Sequence, residues 1–236
     1  DNVNVRKALN LSLDRNVITD KVLGQGQTPT YVFTPTYIEE GHLIQQPAYS
    51  KEPMAQRNEE AIKLLEEAGY SKANPLKFTI LYNTNENHKK VAIAAASMWK
   101  ANTKGLIDVK LENQEWKTYI DSRRAGRYDA ARAGWNADYN KATTFGNYFL
   151  SNSSNNTAKY ANPEYDKAIA ESYVATDAEG RAKAYAKAEE ILAKDFGIVP
   201  IFNYVNPRLV KPYVKGYSGK DPQDHIYLRN LYIIKH

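Results

Sequence analysis

Residues 132–140 read RAGWNADYN, so that an arginine, a glycine, a tryptophan, a carboxylate and a tyrosine fall within nine positions. They follow the short apolar run Asp129-Ala130-Ala131 and precede Lys141-Ala-Thr-Thr144. Three readings fit those residue types: a strand end that meets a ligand, a catalytic corner, or a turn with ordinary packing residues. Trp116, Arg123 and Tyr204 extend the aromatic and cationic set. Singly, each has a plain explanation. Tryptophans are mostly buried on average. Arg123 and Arg132 could pair weakly at the surface with Asp121 or Asp129, and Asp138 could stabilise a turn through its own backbone.

Other chemistry is poorly supplied. The four histidines, His42, His88, His225 and His236, are scattered and none falls in a metal-ligand spacing. The sequence has no cysteine, which removes disulfides, thiolate zinc sites and thiol nucleophiles. It has no GxSxG elbow, phosphate loop or dinucleotide fingerprint, and nothing places a nucleophile beside a base. The expectation is therefore no catalytic residue, no metal and no cofactor.

The elements that must position these residues follow from periodicity. Asn4 to Leu23 reads as helix, capped by Asn2 or Asn4, able to restart at Asp14 after a kink and stopped by Gly24. Residues 25–54 read as a long surface connection. Asn58 to Ala68 is helix, ended by Gly69. Leu76–Tyr82 reads as strand, His88–Ala101 as helix, Ile107–Leu111 as strand, Trp116–Arg124 as helix and Tyr128–Trp135 as strand. Strands separated by helices imply parallel pairing through right-handed crossovers, and in such sheets ligands gather beyond the carboxyl ends of the strands. RAGWNADYN lies at one such end. Helices over Pro163–Tyr173 and Ala178–Lys194 follow, the second opened by a capping-box spacing at Thr176-Asp-Ala-Glu179. Ile198–Val205 reads as an edge strand, and beyond Pro207 the texture turns to glycine, proline and tyrosine.

The 236 residues, 42% hydrophobic and 25% charged, are those of a globular chain, and no apolar run reaches the roughly 18–20 residues of a spanning helix. No basic-then-apolar leader precedes the first helix, and an opening at Asp1 without methionine reads as a mature or trimmed product. The net charge of +5 is spread over interleaved acids and bases. The acid-free stretch Arg208–Lys215, with Lys220, reads as a solvated face rather than a nucleic-acid footprint. Eighteen tyrosines suit recognition surfaces as well as cores.

Several strings resemble the periplasmic oligopeptide-binding proteins of bacterial ABC importers. They are Asn113-Gln-Glu-Trp-Lys-Thr118, Ala131-Arg-Ala-Gly-Trp135, Ala137-Asp-Tyr-Asn140, Leu13-Asp-Arg-Asn16, Leu150-Ser-Asn-Ser-Ser154, Arg208-Leu-Val-Lys-Pro212 and Tyr232-Ile-Ile-Lys-His236. The resemblance spans nearly the whole chain and is to the carboxyl-terminal portion of such proteins. It implies an α/β fold: a periplasmic binding protein type II-like lobe with a mixed, mainly parallel sheet flanked by helices. Residues 1–205 would form the carboxyl-terminal ligand-binding lobe, and residues 206–236 the tail that returns to a first lobe whose remainder is absent.

The function so implied is non-enzymatic: an extended oligopeptide is held by backbone hydrogen bonds between two closing lobes and delivered to a membrane permease by the full-length parent. Asp138 matches the aspartate that pairs with the peptide's α-ammonium, the natural partner for an acceptor-only carboxylate. Arg132 matches an arginine meeting the carboxylate of short peptides, and His88 a residue serving longer ones. Trp116, Arg123, Trp135 and Tyr204 match pocket-lining residues, Gly134 gives clearance for the peptide backbone, and Asn83 joins the same cleft. There are departures. Asn136 stands where some members carry a disulfide cysteine, and Asn102-Thr-Lys-Gly105 is longer than in the family, which loosens the register of His88. Relatives bind dipeptides, murein peptides, nickel complexes or haem, so the ligand class is inherited loosely. The alternatives are an interaction module without its own ligand and, further off, a small hydrolase.

Overall fold

The computed structural model describes residues 2–219, 221 and 223–235, so Lys220 and His236 lie outside the described residues. Helix α1 (Val3–Leu11) is capped by Asn2, whose side-chain oxygen accepts the Asn4 amide at 2.8 Å. The helix expected to run to Leu23 breaks after Leu11, where the Ser12 hydroxyl donates back to the Ala8 carbonyl at 2.6 Å. Asp14 then accepts the Val17 amide at 3.2 Å and opens a π-helical turn, Val17–Leu23, closed by Gly24 at φ 62°. The long connection carries only β1 (Thr28–Pro29) and a 3-10 turn, Ala48–Lys51. It ends in α2 (Met54–Glu67), which starts ahead of the expected Asn58 because Pro53 already sits at its cap.

The βαβ rhythm forms close to its expected bounds: β2 (Leu76–Asn83), α3 (Glu86–Asn102), β3 (Ile107–Gln114) and α4 (Trp116–Arg124). β4 is a correction, since only Ala130–Ala131 pair where Tyr128–Trp135 reads as strand. On its entry side the Asp129 carboxylate accepts the Thr79 amide at 2.9 Å in place of a backbone rung. Beyond it the Arg132 amide donates to the Leu81 carbonyl at 2.8 Å, and the chain then leaves the sheet.

Helix α5 (Thr143–Gly146), with the 3-10 turn Asn147–Phe149 behind it, has no counterpart in the sequence reading. α6 (Pro163–Val174) and α7 (Ala178–Asp195) do. The cap of α7 is Asp177, which accepts the Gly180 amide at 2.7 Å, so the box expected from Thr176 does not form. β5 (Phe202–Asn203) is a two-residue remnant of the expected Ile198–Val205 strand, antiparallel to β1. In the tail, β6 (Val214–Lys215) pairs antiparallel with β7 (Tyr232–Ile233).

The central sheet has the order β3-β2-β4 and is wholly parallel, so the antiparallel character of the mixed fold sits in the two small ladders. From β2 the chain crosses to one neighbour through α3, then returns past β2 to the other through α4. Right-handed crossovers in opposite directions put the two helices on opposite faces. Ile80 accordingly joins the core of α1, α2 and α3 with Leu11, Leu65 and Trp99, and Phe78 packs on Trp99 at 5.7 Å. A second core joins Phe145, Phe149, Tyr165, Ile169, Tyr185 and Leu192 from α5, α6, α7 and the turn between α5 and α6.

Arg15 ties the first core to the strand after α7. It is fully buried, donates to the Pro200 carbonyl at 2.6 Å and to the Asn10 carbonyl at 3.0 Å, and lies 4.1 Å from the Tyr31 ring centroid. Burial lowers its pKa, with Tyr49 and Tyr31 opposing. Substituting Arg15→Met orphans those carbonyls and is expected to cost about 2–4 kcal/mol of stability, since each buried group left unpaired costs about 1–3 kcal/mol. Urea unfolding of the two chains measures it, and a change below about 0.5 kcal/mol would mean that water replaces the guanidinium.

Candidate functional site

A parallel sheet ends all its strands on the same edge, and here that edge is where the two crossovers diverge from β2. A crevice opens at such a point. Asn83 ends β2 and is buried; its Oδ1 lies 2.9 Å from His88 Nδ1. Because an amide oxygen only accepts, His88 holds its proton on Nδ1 and presents Nε2 as an acceptor. The ring stands in the first turn of α3, whose cap Asn85 accepts the Asn87 and His88 amides at 2.9 and 3.1 Å. Burial, and then the nearby Arg132 cation, lower His88 to about 4, so it is neutral at pH 7.

Arg132 follows β4 and donates to the Tyr204 hydroxyl, with its guanidinium 5.7 Å from that ring centroid. Burial lowers its pKa to about 10, with Tyr119 opposing and Arg123 adding, and it remains a cation at neutral pH. Its carbonyl accepts from the hydroxyl of Tyr119, a wholly buried residue of α4. The guanidinium has no carboxylate partner among the described residues.

Gly134 gives its clearance to a side chain of the chain itself. The clearance it offers is filled by Tyr204, because a Cβ built on Gly134 would stand 2.8 Å from the phenol Cζ and closer still to its oxygen. Tyr204 packs edge-on against Phe202 of β5 at 5.6 Å, so the short ladder with β1 fixes the approach of that ring.

Two more groups lie along the same edge. On α4, Trp116 is 57% exposed and leans on Tyr119 at 5.8 Å. Arg123 turns inward instead: it is 9% exposed and donates to Tyr148 Oη at 3.1 Å and Thr157 Oγ1 at 2.9 Å. Burial acts to lower its pKa and the Tyr119 and Tyr148 hydroxyls outweigh it. In the loop after β4, the Thr144 hydroxyl is a hub. It accepts from Trp135 Nε1 at 3.3 Å and from the Asp138 amide at 3.1 Å, and lies 3.2 Å from Asp138 Oδ2. Trp135 also packs edge-on to Tyr148 at 5.0 Å. The Asp138 carboxylate is exposed, and among the described residues no cation pairs with it.

Between Ala133 and Ala137 no backbone amide or carbonyl is hydrogen-bonded within the described residues. This edge therefore offers unpaired backbone groups, an unpaired carboxylate at Asp138, a cation at Arg132 and exposed aromatic surface at Trp116 and Tyr204. Such groups suit recognition of a polar ligand, and among the described residues no nucleophile stands beside a base. All nine residues singled out in the sequence lie along it, with Arg123 behind the surface. Thr144, Tyr119 and Tyr148, which set the geometry, are not among them, and only the nearness of Thr143-Thr144 to the motif signals the first.

Two measurements check this geometry. Gly134→Ala is expected to cost about 1–3 kcal/mol through overpacking, and the cost should vanish in a Tyr204→Ala background; equal costs in both backgrounds would refute the clearance. For His88 the folded pKa lies below the unfolded one, so the folded chain binds fewer protons between pH 6.5 and about 4. Stability from this group is complete above pH 6.5 and falls as pH drops through that window. His88→Asn should lose that part of the slope in pH-dependent unfolding, and identical slopes would count against a neutral, half-buried ring.

Residues 1–157 match the family model described as bacterial extracellular solute-binding proteins, family 5 middle. The chain is 97% identical over 236 residues to the periplasmic oligopeptide-binding protein OppA of Haemophilus influenzae, covering all of this chain and 44% of that protein. It is 45% identical over 232 residues to the periplasmic murein peptide-binding protein MppA of Escherichia coli, covering 98% of this chain and 43% of the relative. Among solved structures, Haemophilus influenzae OppA in complex with RPPGFSPFR superposes with a TM-score of 0.93 at 96% identity, covering 100% of this chain and 46% of that one. The chain thus spans less than half the length of each of these three proteins.

Proposed function

We propose that this chain, which belongs to the bacterial extracellular solute-binding proteins of family 5, forms one wall of the cleft in a periplasmic receptor that carries extended oligopeptides to an ABC permease. The family is one of binding proteins rather than enzymes. In this reading residues 1–205 are the carboxyl-terminal ligand-binding lobe and residues 206–236 return to a first lobe, supplied by the rest of a full-length parent. The names of the relatives, an oligopeptide-binding and a murein peptide-binding protein, favour a peptide ligand.

The observation that carries the reading is the exposed carboxylate of Asp138, without a cation among the described residues, beside five consecutive residues of unpaired backbone. A peptide lying along residues 133–137 gains strand-like hydrogen bonds whatever its sequence, which is how one receptor accepts many peptides. Its α-ammonium meets Asp138, whose orientation is held by Thr144. Arg132 supplies the opposite charge for the carboxylate of a short peptide. Neutral His88 serves a longer one as a polar neighbour rather than as a second cation. Trp116, Trp135 and Tyr204 line side-chain space, and Arg123 stiffens the wall from behind through Tyr148 and Thr157.

In the full-length parent, Asp138→Asn is expected to weaken binding of a free-amine tripeptide by about 3–5 kcal/mol, the cost of leaving one partner of an enclosed charge pair alone. Calorimetry checks it. Equal affinity of the variant and the unaltered protein, or equal affinity for amino-acetylated peptide, would remove Asp138 from the role.

A further inference from the structure

Lys141 is the cation nearest to Asp138 in sequence, three residues on, and its flexible four-carbon stem gives it a long reach. A lysine so placed is a competitor, since its ammonium has the same chemistry as the peptide terminus Asp138 would receive. In the structure it is turned the other way. Its Nζ lies 3.6 Å from Glu40 Oε1 and 3.7 Å from Glu39 Oε1.

The two glutamates are held firmly for this task. Glu40 is 4% exposed, has a left-handed backbone at φ 68°, and its Oε1 accepts from Arg181 Nε of α7 at 2.7 Å. Its Oε2 is buried without a hydrogen-bond partner among the described residues. The Glu39 carbonyl accepts the Ala142 amide at 2.9 Å, and the Glu39 amide donates to Asn140 Oδ1 at 3.4 Å. The turn at residues 35–41 is thereby fastened to the turn that carries Asp138 and Lys141. A non-glycine residue in the left-handed region and a buried carboxylate oxygen without a donor both oppose folding. Arg181 offsets part of that cost, and the same carboxylate oxygen holds Lys141 on the side of residues 39 and 40.

We propose that Glu39 and Glu40 sequester Lys141 and so keep the Asp138 carboxylate vacant for an incoming ammonium. This rests on the reading of Asp138 as the anchor for a free amino terminus. Glu40 acts here as a positioning residue, working through Lys141 and never touching the peptide. The size of the effect follows from what Lys141 would gain. A partly exposed Lys–Asp pair is worth up to about 1 kcal/mol, so freeing Lys141 should lower the apparent affinity for an ammonium by up to about fivefold.

The test measures, in the full-length parent, the affinity for trialanine relative to amino-acetylated trialanine. The unaltered protein should prefer the free amine; if it shows no preference, the anchor reading of Asp138 itself falls. Glu40→Gln, and the pair Glu39→Gln with Glu40→Gln, should reduce the preference about three- to fivefold. Adding Lys141→Gln should restore it. Glu39→Gln alone, at an exposed position that leaves the Arg181 contact intact, should give a smaller loss and serves if the buried change impairs folding. A preference untouched by the glutamate changes overturns the proposal. So does a loss that Lys141→Gln fails to repair, because a purely structural role of Glu40 would not be rescued by removing a lysine.

Discussion

The hydrogen bond from the Arg132 amide to the Leu81 carbonyl is the last rung between β4 and β2, and the exposed edge beyond it depends on where that rung falls. One position earlier the chain is still paired; one position later it has left the sheet with its amides and carbonyls unspent. The Tyr119 hydroxyl, reaching across from α4, takes the Arg132 carbonyl and so blocks a further rung. A buried strand must satisfy its backbone groups, and a strand that stops early at an open edge is free to leave them for a ligand. The parallel order β3-β2-β4 puts that stopping point beside the carboxyl ends of its neighbours, where Asn83 and Trp116 emerge.

Charge at this edge is kept apart by neutral groups. Arg132 and Arg123 are surrounded by Tyr119, Tyr148 and Tyr204 hydroxyls rather than by carboxylates. The aromatic and hydroxyl contacts compensate part of the desolvation of a guanidinium without cancelling its charge. Asp138 is oriented by one neutral hydroxyl in the same way. His88, which could have added a cation, is held neutral by burial and by Arg132. Among the described residues no internal ion pair quenches these charges, so their full electrostatic potential stays at the edge.

Much of this was legible in the sequence, and the losses have identifiable causes. The strand and helix bounds from β2 to α4 follow from apolar periodicity, since each of those elements buries one face against its immediate neighbours. β4 and β5 read longer than they are because apolar alternation reports which side chains are buried, not which backbone groups are paired. At β4 the Asp129 side chain takes over a rung that the periodicity assigns to backbone. At β5 the partner β1 contributes only Thr28 and Pro29 to the ladder. Asp138, Arg132 and Trp135 are visible as types in one short string, but Thr144, Tyr119 and Tyr148 are not. Each of these acts through a single hydroxyl, and nothing in a threonine or tyrosine's spacing distinguishes a hub from a bystander.

Gly134 shows why such a residue cannot be read from type alone. A glycine beside a ligand edge suggests space left for the ligand, yet the space is taken by Tyr204, which is itself tied to Arg132. The ring covers the clearance and is 40% exposed, so part of it is open to solvent. The ring is held there by its hydrogen bond to Arg132 and its edge contact with Phe202, and a Cβ on residue 134 would exclude it. The unspent rungs after Arg132 and the Asp138 carboxylate, without a cation among the described residues, are therefore two forms of one arrangement, in which the fold withholds an internal partner from a polar group, whereas the clearance at Gly134 is given to Tyr204.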